Sequence, residues 1–282
     1  NTGTGFAIRT TRGTYGIGIL KTTEGGITWT QTLPWQLSDL RGVQDILINP
    51  QNTNTVFAAT TEGAYRSLDA GSTWTQVNSV LMATDINYMP NDTSIILLAA
   101  GNSFSANSGI YRSTNGGSSF TKITSGLPAT WTGKVLINFC LSQPNIVYAS
   151  VADQLAGIGL YQSSDGGLNW SVANNTVNYP SYQGWYAHDV AVRPDDPYEV
   201  FCGGVDSYHS YTGGMSLYQS SHWYNWDFNA TTIGGVEGSS DYVHADIHHI
   251  YWHPSNFDVI YFVTDGGIFR TTDDGNTFEG CN

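Results

Sequence analysis

The chain has 282 residues, of which only 12% are charged, with ten Lys plus Arg against 23 Asp plus Glu and a formal net charge of −13. That balance excludes a polyanion as partner, because nucleic acid and an anionic membrane surface would both be repelled. No apolar run approaches the roughly 18 residues needed to span a bilayer, and three cysteines do not define a disulfide framework: Cys140 and Cys202 lie in apolar runs as buried filler, and Cys281 is close to the end.

In chain order, one octapeptide recurs: TTEGGITW at 22–29, SLDAGSTW at 67–74, STNGGSSF at 113–120, SSDGGLNW at 163–170 and TTDDGNTF at 271–278, with SSHWYNW at 220–226 read as a worn copy. The third positions, Glu24, Asp69, Asn115, Asp165, His222 and Asp273, step by 45, 46, 50, 57 and 51 residues, a period that signifies a repeat architecture. An acid or Asn at position three accepts hydrogen bonds from the N–H groups of its own turn, Gly at position five tolerates positive φ, and the closing Trp or Phe folds over the turn. Glu24, Asp69, Asn115, Asp165 and Asp273 are therefore read as structural.

Between these turns the same elements return. An apolar run ending near Pro (DILINP at 45–50, DINYMP at 85–90, VLINFCL at 135–141, DVAVRP at 189–194, HIYWHP at 249–254) is followed by a polar turn and a second apolar run (VFAAT, IILLAA, IVYASV, VFCGG, VIYFVT). A third strand leads into the octapeptide and a fourth leaves it. Four short strands per repeat, the first two apolar on both faces, describe sheets stacked face to face.

The pattern S/T-x-D-x-G-x-T-W resembles the Asp-box (BNR) repeat of sialidases, sortilin-type receptors, xyloglucan-cleaving glycosidases and secreted propellers of Bacteroidetes type. The resemblance implies an all-β propeller of four-stranded blades. The expected boundaries are a partial blade at 1–32 and complete blades at 33–78, 79–124, 125–174, 175–229 and 230–282, in one domain over 1–282. With five complete blades and a partial sixth, the chain is expected to be a fragment of a longer one whose ring has seven or more blades. It opens on Asn1 without a signal peptide and is read as a mature or partial segment of an extracellular or cell-surface protein.

Antiparallel order places the octapeptides on one face and the long insertions, at 33–42, 101–109, 152–159, 174–187, 203–216 and 231–248, on the other. Those insertions carry aromatics such as Trp35, Phe104, Tyr179, Tyr182, Trp185, Tyr186, Tyr208, Tyr211 and Tyr242, and five histidines, His188, His209, His244, His248 and His249 fall there. Aromatic rings with polar edges suit stacking against sugars or a peptide, so Trp185, Tyr186, His188, Tyr208, Tyr211, Tyr242 and His244 are the candidate ligand-binding residues. Asp45, Asp85 and Asp189 recur at the entrance of the first strands, either as a partial acidic ring or as caps of backbone turns.

Residues 242–270 carry the sharpest chemical signal. In an extended segment His244, Asp246 and His248 share one face, a set that fits a divalent metal or a hydrogen-bonded network, with Asp265 close by. Three functions follow. The first is a binder of glycan or protein through the long-loop face, with no cofactor required. The second is a glycoside hydrolase resembling inverting xyloglucan-cleaving enzymes, with Asp45, Asp85, Asp189, Asp246, Asp265 and Glu62 as candidate carboxylates. The third is a structural subunit of an extracellular appendage or adhesin, whose partners are other domains or subunits of a surface assembly. A sialidase is disfavoured, since Arg9, Arg12, Arg41 and Arg193 match no arginine-triad motif.

Overall fold

The computed structural model describes residues 16–103, 105–227 and 237–282. Phe104, Arg9 and Arg12 lie outside them. Two compact units form the chain, one from the described residues up to 123 together with 128–135, the other from 124–127 and 136–282.

In the first unit β1 (Gly18–Lys21) pairs with β2 (Thr30–Pro34). Two four-stranded antiparallel sheets follow: β3 (Val43–Ile48), β4 (Val56–Thr60), β5 (Gly63–Ser67) and β6 (Thr75–Asn78), then β7 (Ala83–Met89), β8 (Asp92–Ala100), β9 (Gly109–Ser113) and β10 (Thr121–Lys122). The second unit is built around three more: β11 (Val135–Phe139), β12 (Val147–Asp153), β13 (Ala156–Ser163) and β14 (Ser171–Asn174); β15 (Asp189–Val192), β16 (Val200–Gly203), β17 (Ser207–Ser210) and β18 (Tyr218–Gln219); and β19 (Ile247–Trp252), β20 (Ile260–Thr264), β21 (Gly267–Thr271) and β22 (Glu279–Gly280). Each four-stranded sheet runs in strict chain order, so every strand hydrogen-bonds to its sequence neighbour, as the repeat predicts. The expected all-β architecture of four-stranded blades is borne out.

The second strands β4 and β16 are buried on both faces, whereas β20 leaves Val263 36% exposed. All five residues of β4 are buried. In the first unit Phe57, Ala59 and Ala64 pack with Ile86, Ile96 and Leu98 of the next sheet; in the second, Tyr148 and Leu160 pack with Val190, Val200 and Cys202, and Phe201 packs with Ile247, Ile250 and Phe262. First strands are also laced together by side chains. Asp45 Oδ2 accepts the Ile86 N–H at 3.3 Å, Asn138 Oδ1 accepts that of Val192 at 3.0 Å, and Asp189 Oδ2 accepts that of Ile250 at 2.7 Å.

The octapeptide turns join third to fourth strands. In the copy at 67–74, Ser67 Oγ donates to Asp69 Oδ1 at 2.7 Å and accepts the Gly71 N–H at 2.8 Å. Asp69 Oδ1 takes the N–H groups of Ser72 and Thr73 at 3.0 and 2.8 Å, Oδ2 takes the Thr73 hydroxyl at 2.6 Å, and Trp74 Nε1 donates to the Gly71 carbonyl at 3.2 Å. At 163–170 the position-three carboxylate accepts the same set, with Asn169 Nδ2 in place of a hydroxyl, and at 271–278 Asp273 accepts the Thr277 N–H and hydroxyl. In the copy at 113–120 the glycine at position five is also where the turn meets the preceding sheet. Gly117 has φ +74°, and a Cβ there would overlap the ring of the fully buried Phe57.

One repeat is misplaced by the sequence reading. The turn between β17 and β18 is 210–217, SYTGGMSL, where Ser210 Oγ accepts the N–H groups of Thr212 and Gly214 at 3.1 and 3.0 Å and Thr212 Oγ1 accepts that of Ser216 at 3.0 Å. These are the bonds of the Ser67 turn with a hydroxyl in place of the carboxylate. The stretch at 220–226, read as a worn copy, instead follows β18 and contains a single 3-10 turn, Trp223–Asn225.

Two outcomes are expected. Gly117→Ala forces the Phe57 ring to move and strains a left-handed backbone, and should lower unfolding free energy by about 1–3 kcal/mol in denaturant titrations; an unchanged midpoint would contradict the close approach. The Asp69 carboxyl is held below its ordinary value first by the Thr73 hydroxyl, then by the Thr73 N–H and Ser67. For Asp165 and Asp273 burial acts upward as the largest single influence, but the hydrogen bonds together outweigh it and both are lowered. A folded-state pKa below the unfolded one contributes stability that is complete above the ordinary carboxylate range, roughly pH 4, and is lost as pH falls toward the folded value. Asp165→Asn, which reproduces the amide already present at Asn115, should therefore flatten the acid limb of stability against pH; an equally steep limb would contradict this.

Candidate functional site

The antiparallel order puts β12–β13 and β16–β17 turns and the connections between successive sheets at one end of the second unit. Residues 175–188, joining β14 to β15, are wedged there. Asn178 Oδ1 accepts the Gly157 N–H at 2.7 Å, the Trp185 N–H donates to the Gln154 carbonyl at 3.1 Å, and the Val205 N–H donates to the Tyr179 carbonyl at 3.2 Å. Beneath runs a buried polar chain in which Ser150 Oγ is 2.6 Å from the Tyr179 hydroxyl and 2.7 Å from His188 Nδ1. Burial pushes the Tyr179 hydroxyl well above its ordinary pKa.

This wedge carries Trp185 and Tyr186 to the β19–β22 sheet. The Trp185 and Tyr186 rings stack with centroids 4.8 Å apart, and Tyr186 meets His248 edge-on at 4.8 Å. The Tyr186 hydroxyl donates to Asp265 Oδ1 and Oδ2 at 3.0 and 3.2 Å, while His248 Nε2 is 2.7 Å from Asp265 Oδ1. The His248 and Asp265 side chains remain 31% and 38% exposed. Next to them Gln183 Nε2 donates to Asp246 Oδ2 at 3.3 Å. The Asp246 carboxyl is raised above its ordinary value, first by burial and then by the charge of Asp265, with His248 and His244 acting in the opposite direction. The result is a partly buried aromatic pair beside a hydrogen-bonded acid and imidazole, a combination that can stack on a planar or ring-shaped ligand and exchange hydrogen bonds with its edge.

Several sequence expectations are corrected. His244, Asp246 and His248 do not share an extended face: β19 begins only at Ile247, and Asp246 has a left-handed backbone with φ +65°. His244 turns instead to the Ala245 carbonyl, 3.0 Å from Nδ1, and among the described residues no three His, Cys, Asp or Glu side chains are grouped to hold a metal ion. His188 is fully buried, and Tyr242 is buried with its ring edge-on to Phe269. Tyr208 lies in β17 and packs on the core, and Tyr211 sits in the octapeptide-type turn, 4.2 Å from the His209 ring, at the opposite end of its sheet from the wedge. The proposed acidic ring is used internally. Asp45 and Asp189 accept N–H groups of neighbouring strands, Asp189 also meets His249 Nδ1 at 3.1 Å, Asp85 accepts from Asn87 Nδ2 at 2.7 Å, and Glu62 lies 3.7 Å from Arg41. Sequence reasoning missed Gln183, for which a lone amide in a loop offers no signal.

No protein-family model matches the chain, and no curated protein matches it. Solved structures do. An ancestral GH74 enzyme superposes with a TM-score of 0.57 at 17% identity, covering 94% of this chain and 43% of its own. An auxiliary nutrient binding protein from Bacteroides thetaiotaomicron gives 0.52 at 13% identity, covering 84% and 56%. The extracellular domain of a hybrid two-component system from the same organism gives 0.55 at 9% identity, covering 84% and 27%. The chain thus spans less than two thirds of the length of each. These likenesses define the class: an all-β fold of β-propeller type, built from four-stranded blades.

Replacing Asp265 by Asn removes the charge that raises the Asp246 carboxyl. In Asp265→Asn the Asp246 carboxyl should titrate at lower pH, followed by NMR of the carboxyl carbon; no shift, or an upward one, would contradict the coupling.

Proposed function

We propose that the chain is part of an extracellular or cell-surface propeller that binds a neutral glycan through the loop end of its second unit. The observation that carries this reading is the stacked Trp185–Tyr186 pair braced against His248 and Asp265. Sugar rings present C–H faces to aromatic planes and hydroxyls to carboxylate and imidazole edges, and the geometry offers both. The charge of −13 disfavours an anionic polysaccharide. The octapeptides are then turns of the Asp-box type, structural and at the opposite end from the ligand. Likeness in fold to a GH74 enzyme, a nutrient binding protein and an extracellular domain agrees with this reading. Among the described residues no helix is long and apolar enough to cross a membrane.

A second reading, glycoside hydrolysis, is favoured by one observation: Asp246 lies beside Asp265, and burial together with that neighbouring charge moves its carboxyl upward, the direction a general acid requires. One experiment addresses both. Calorimetric titration with xyloglucan, a neutral plant glucan, should give affinity at least tenfold weaker in Trp185→Ala than in wild type. Leu168→Ala, an exposed position on an octapeptide turn, should bind as wild type. Equal binding by Trp185→Ala would overturn the glycan reading, and release of reducing ends abolished in Asp246→Asn would decide for hydrolysis.

A further inference from the structure

The stretch 220–227 is absorbed neither by the repeat nor by the site around Trp185. It lies in the β18–β19 connection of the second unit, at the same end of the sheets as the 175–188 wedge. Trp223, Tyr224 and Trp226 are 49%, 62% and 49% exposed, three large aromatics within four residues. Their backbone is held firmly. The Trp223 N–H donates to Asp206 Oδ1 at 2.7 Å, the His222 N–H donates to the Asp241 carbonyl at 2.8 Å, and Asn225 Nδ2 donates to both Asp241 carboxylate oxygens at 3.0 Å. The Asp241 carboxyl is kept below its ordinary value first by the Ser239 hydroxyl, with Asn225 and His222 adding to the effect. Rigid presentation of exposed aromatic planes lowers the ordering cost of a ligand stacked on them.

This segment is linked to the first site by a short run of hydrogen bonds. The Asp227 N–H donates to the Glu237 carbonyl at 2.9 Å. Asn282 Nδ2 bridges Glu237 Oε1 at 3.0 Å and the Gly266 carbonyl at 2.9 Å. Gly266 follows Asp265, which holds Tyr186 and His248. Neither 220–227 nor 237–248 contains a Lys or Arg, while Asp227, Glu237, Asp241 and Asp246 lie within them. That charge disfavours an anionic polymer, and an uncharged chain of rings with hydroxyl edges fits aromatic rings bordered by carboxylates and amides.

We propose that Trp223, Tyr224 and Trp226 form a second stacking surface for neutral glycan, and that one extended chain runs from the Trp185–Tyr186 pair past the Asp265–Gly266 turn onto it. The inference rests on the glycan reading of the first site and adds to it a preference for long ligands. A short oligomer occupies the Trp185 site alone; a polymer engages both surfaces.

The test compares cellotetraose, xyloglucan polymer and a heptalysine peptide by calorimetry on the intact chain. The Trp223→Ala/Tyr224→Ala protein, with its fold checked by thermal melting, should bind the polymer about tenfold more weakly and cellotetraose as wild type does, whereas Trp185→Ala should weaken both. If the double variant does not fold, Tyr224→Ala alone takes its place at the most exposed ring, with Tyr224→Phe expected to restore polymer affinity. Unchanged polymer affinity in a folded variant overturns the second surface and leaves the Trp185 reading standing. Absence of glycan binding by the wild-type protein overturns both. Heptalysine binding that is lost in the variant while glycan binding is untouched reassigns the surface to a basic peptide.

Discussion

The close approach of three turn glycines, Gly117, Gly214 and Gly275, to buried side chains of the preceding sheet is the constraint on which the packing of those sheets depends. Gly117 lies on Phe57, Gly214 on Leu160 and Gly275 on Phe201, whose ring would be 2.8 Å from an added Cβ. Phe57, Leu160 and Phe201 are themselves fully buried at the centre of their clusters. One residue therefore satisfies two demands. It adopts the positive φ that closes the turn between third and fourth strands, and it lets that turn sit directly on the next hydrophobic layer.

This coupling explains what was legible in the sequence and what was not. The octapeptide must keep Ser or Thr, an acceptor and Gly in fixed spacing, so five copies could be read directly, and the apolar runs between them marked the first two strands of each sheet. The copy at 210–217 escaped because Thr212 accepts with one hydroxyl oxygen where Asp69 uses a carboxylate, and S-Y-T-G-G-M-S looks like ordinary loop. The nearby cluster of Trp and Asn at 220–226 drew the assignment away, and with it the expectation that Tyr211 lies among the loops at the other end of the sheet.

The site was legible in part. Trp185, Tyr186, His248 and Asp265 come together because strand order alone decides that their loops share one end of the second unit. His188 is buried because the connection at 175–188 folds back and uses it with Tyr179 as an internal brace on Ser150, and Tyr242 is buried because its ring packs edge-on to Phe269 in the core of the β19–β22 sheet. The His-x-Asp-x-His pattern failed for a local reason: alternation holds only inside a strand, and the left-handed residue at Asp246 ends it one step before β19 starts.

The first-strand acceptors Asp45, Asn138 and Asp189 have a consequence for register. Each takes a main-chain N–H from the first strand of the following sheet, and Asp189 does so almost completely shielded from water. If that following strand slid lengthwise by one pleat, the carboxylate would face a carbonyl or a side chain instead, and an uncompensated buried charge costs several kcal/mol. Hydrophobic layers of Val, Ile and Ala tolerate such sliding far better, because neighbouring methyl groups are nearly interchangeable. These acceptors thus act as indexing pins: the apolar layers hold adjacent sheets together, and the pins set how far along one another they stand.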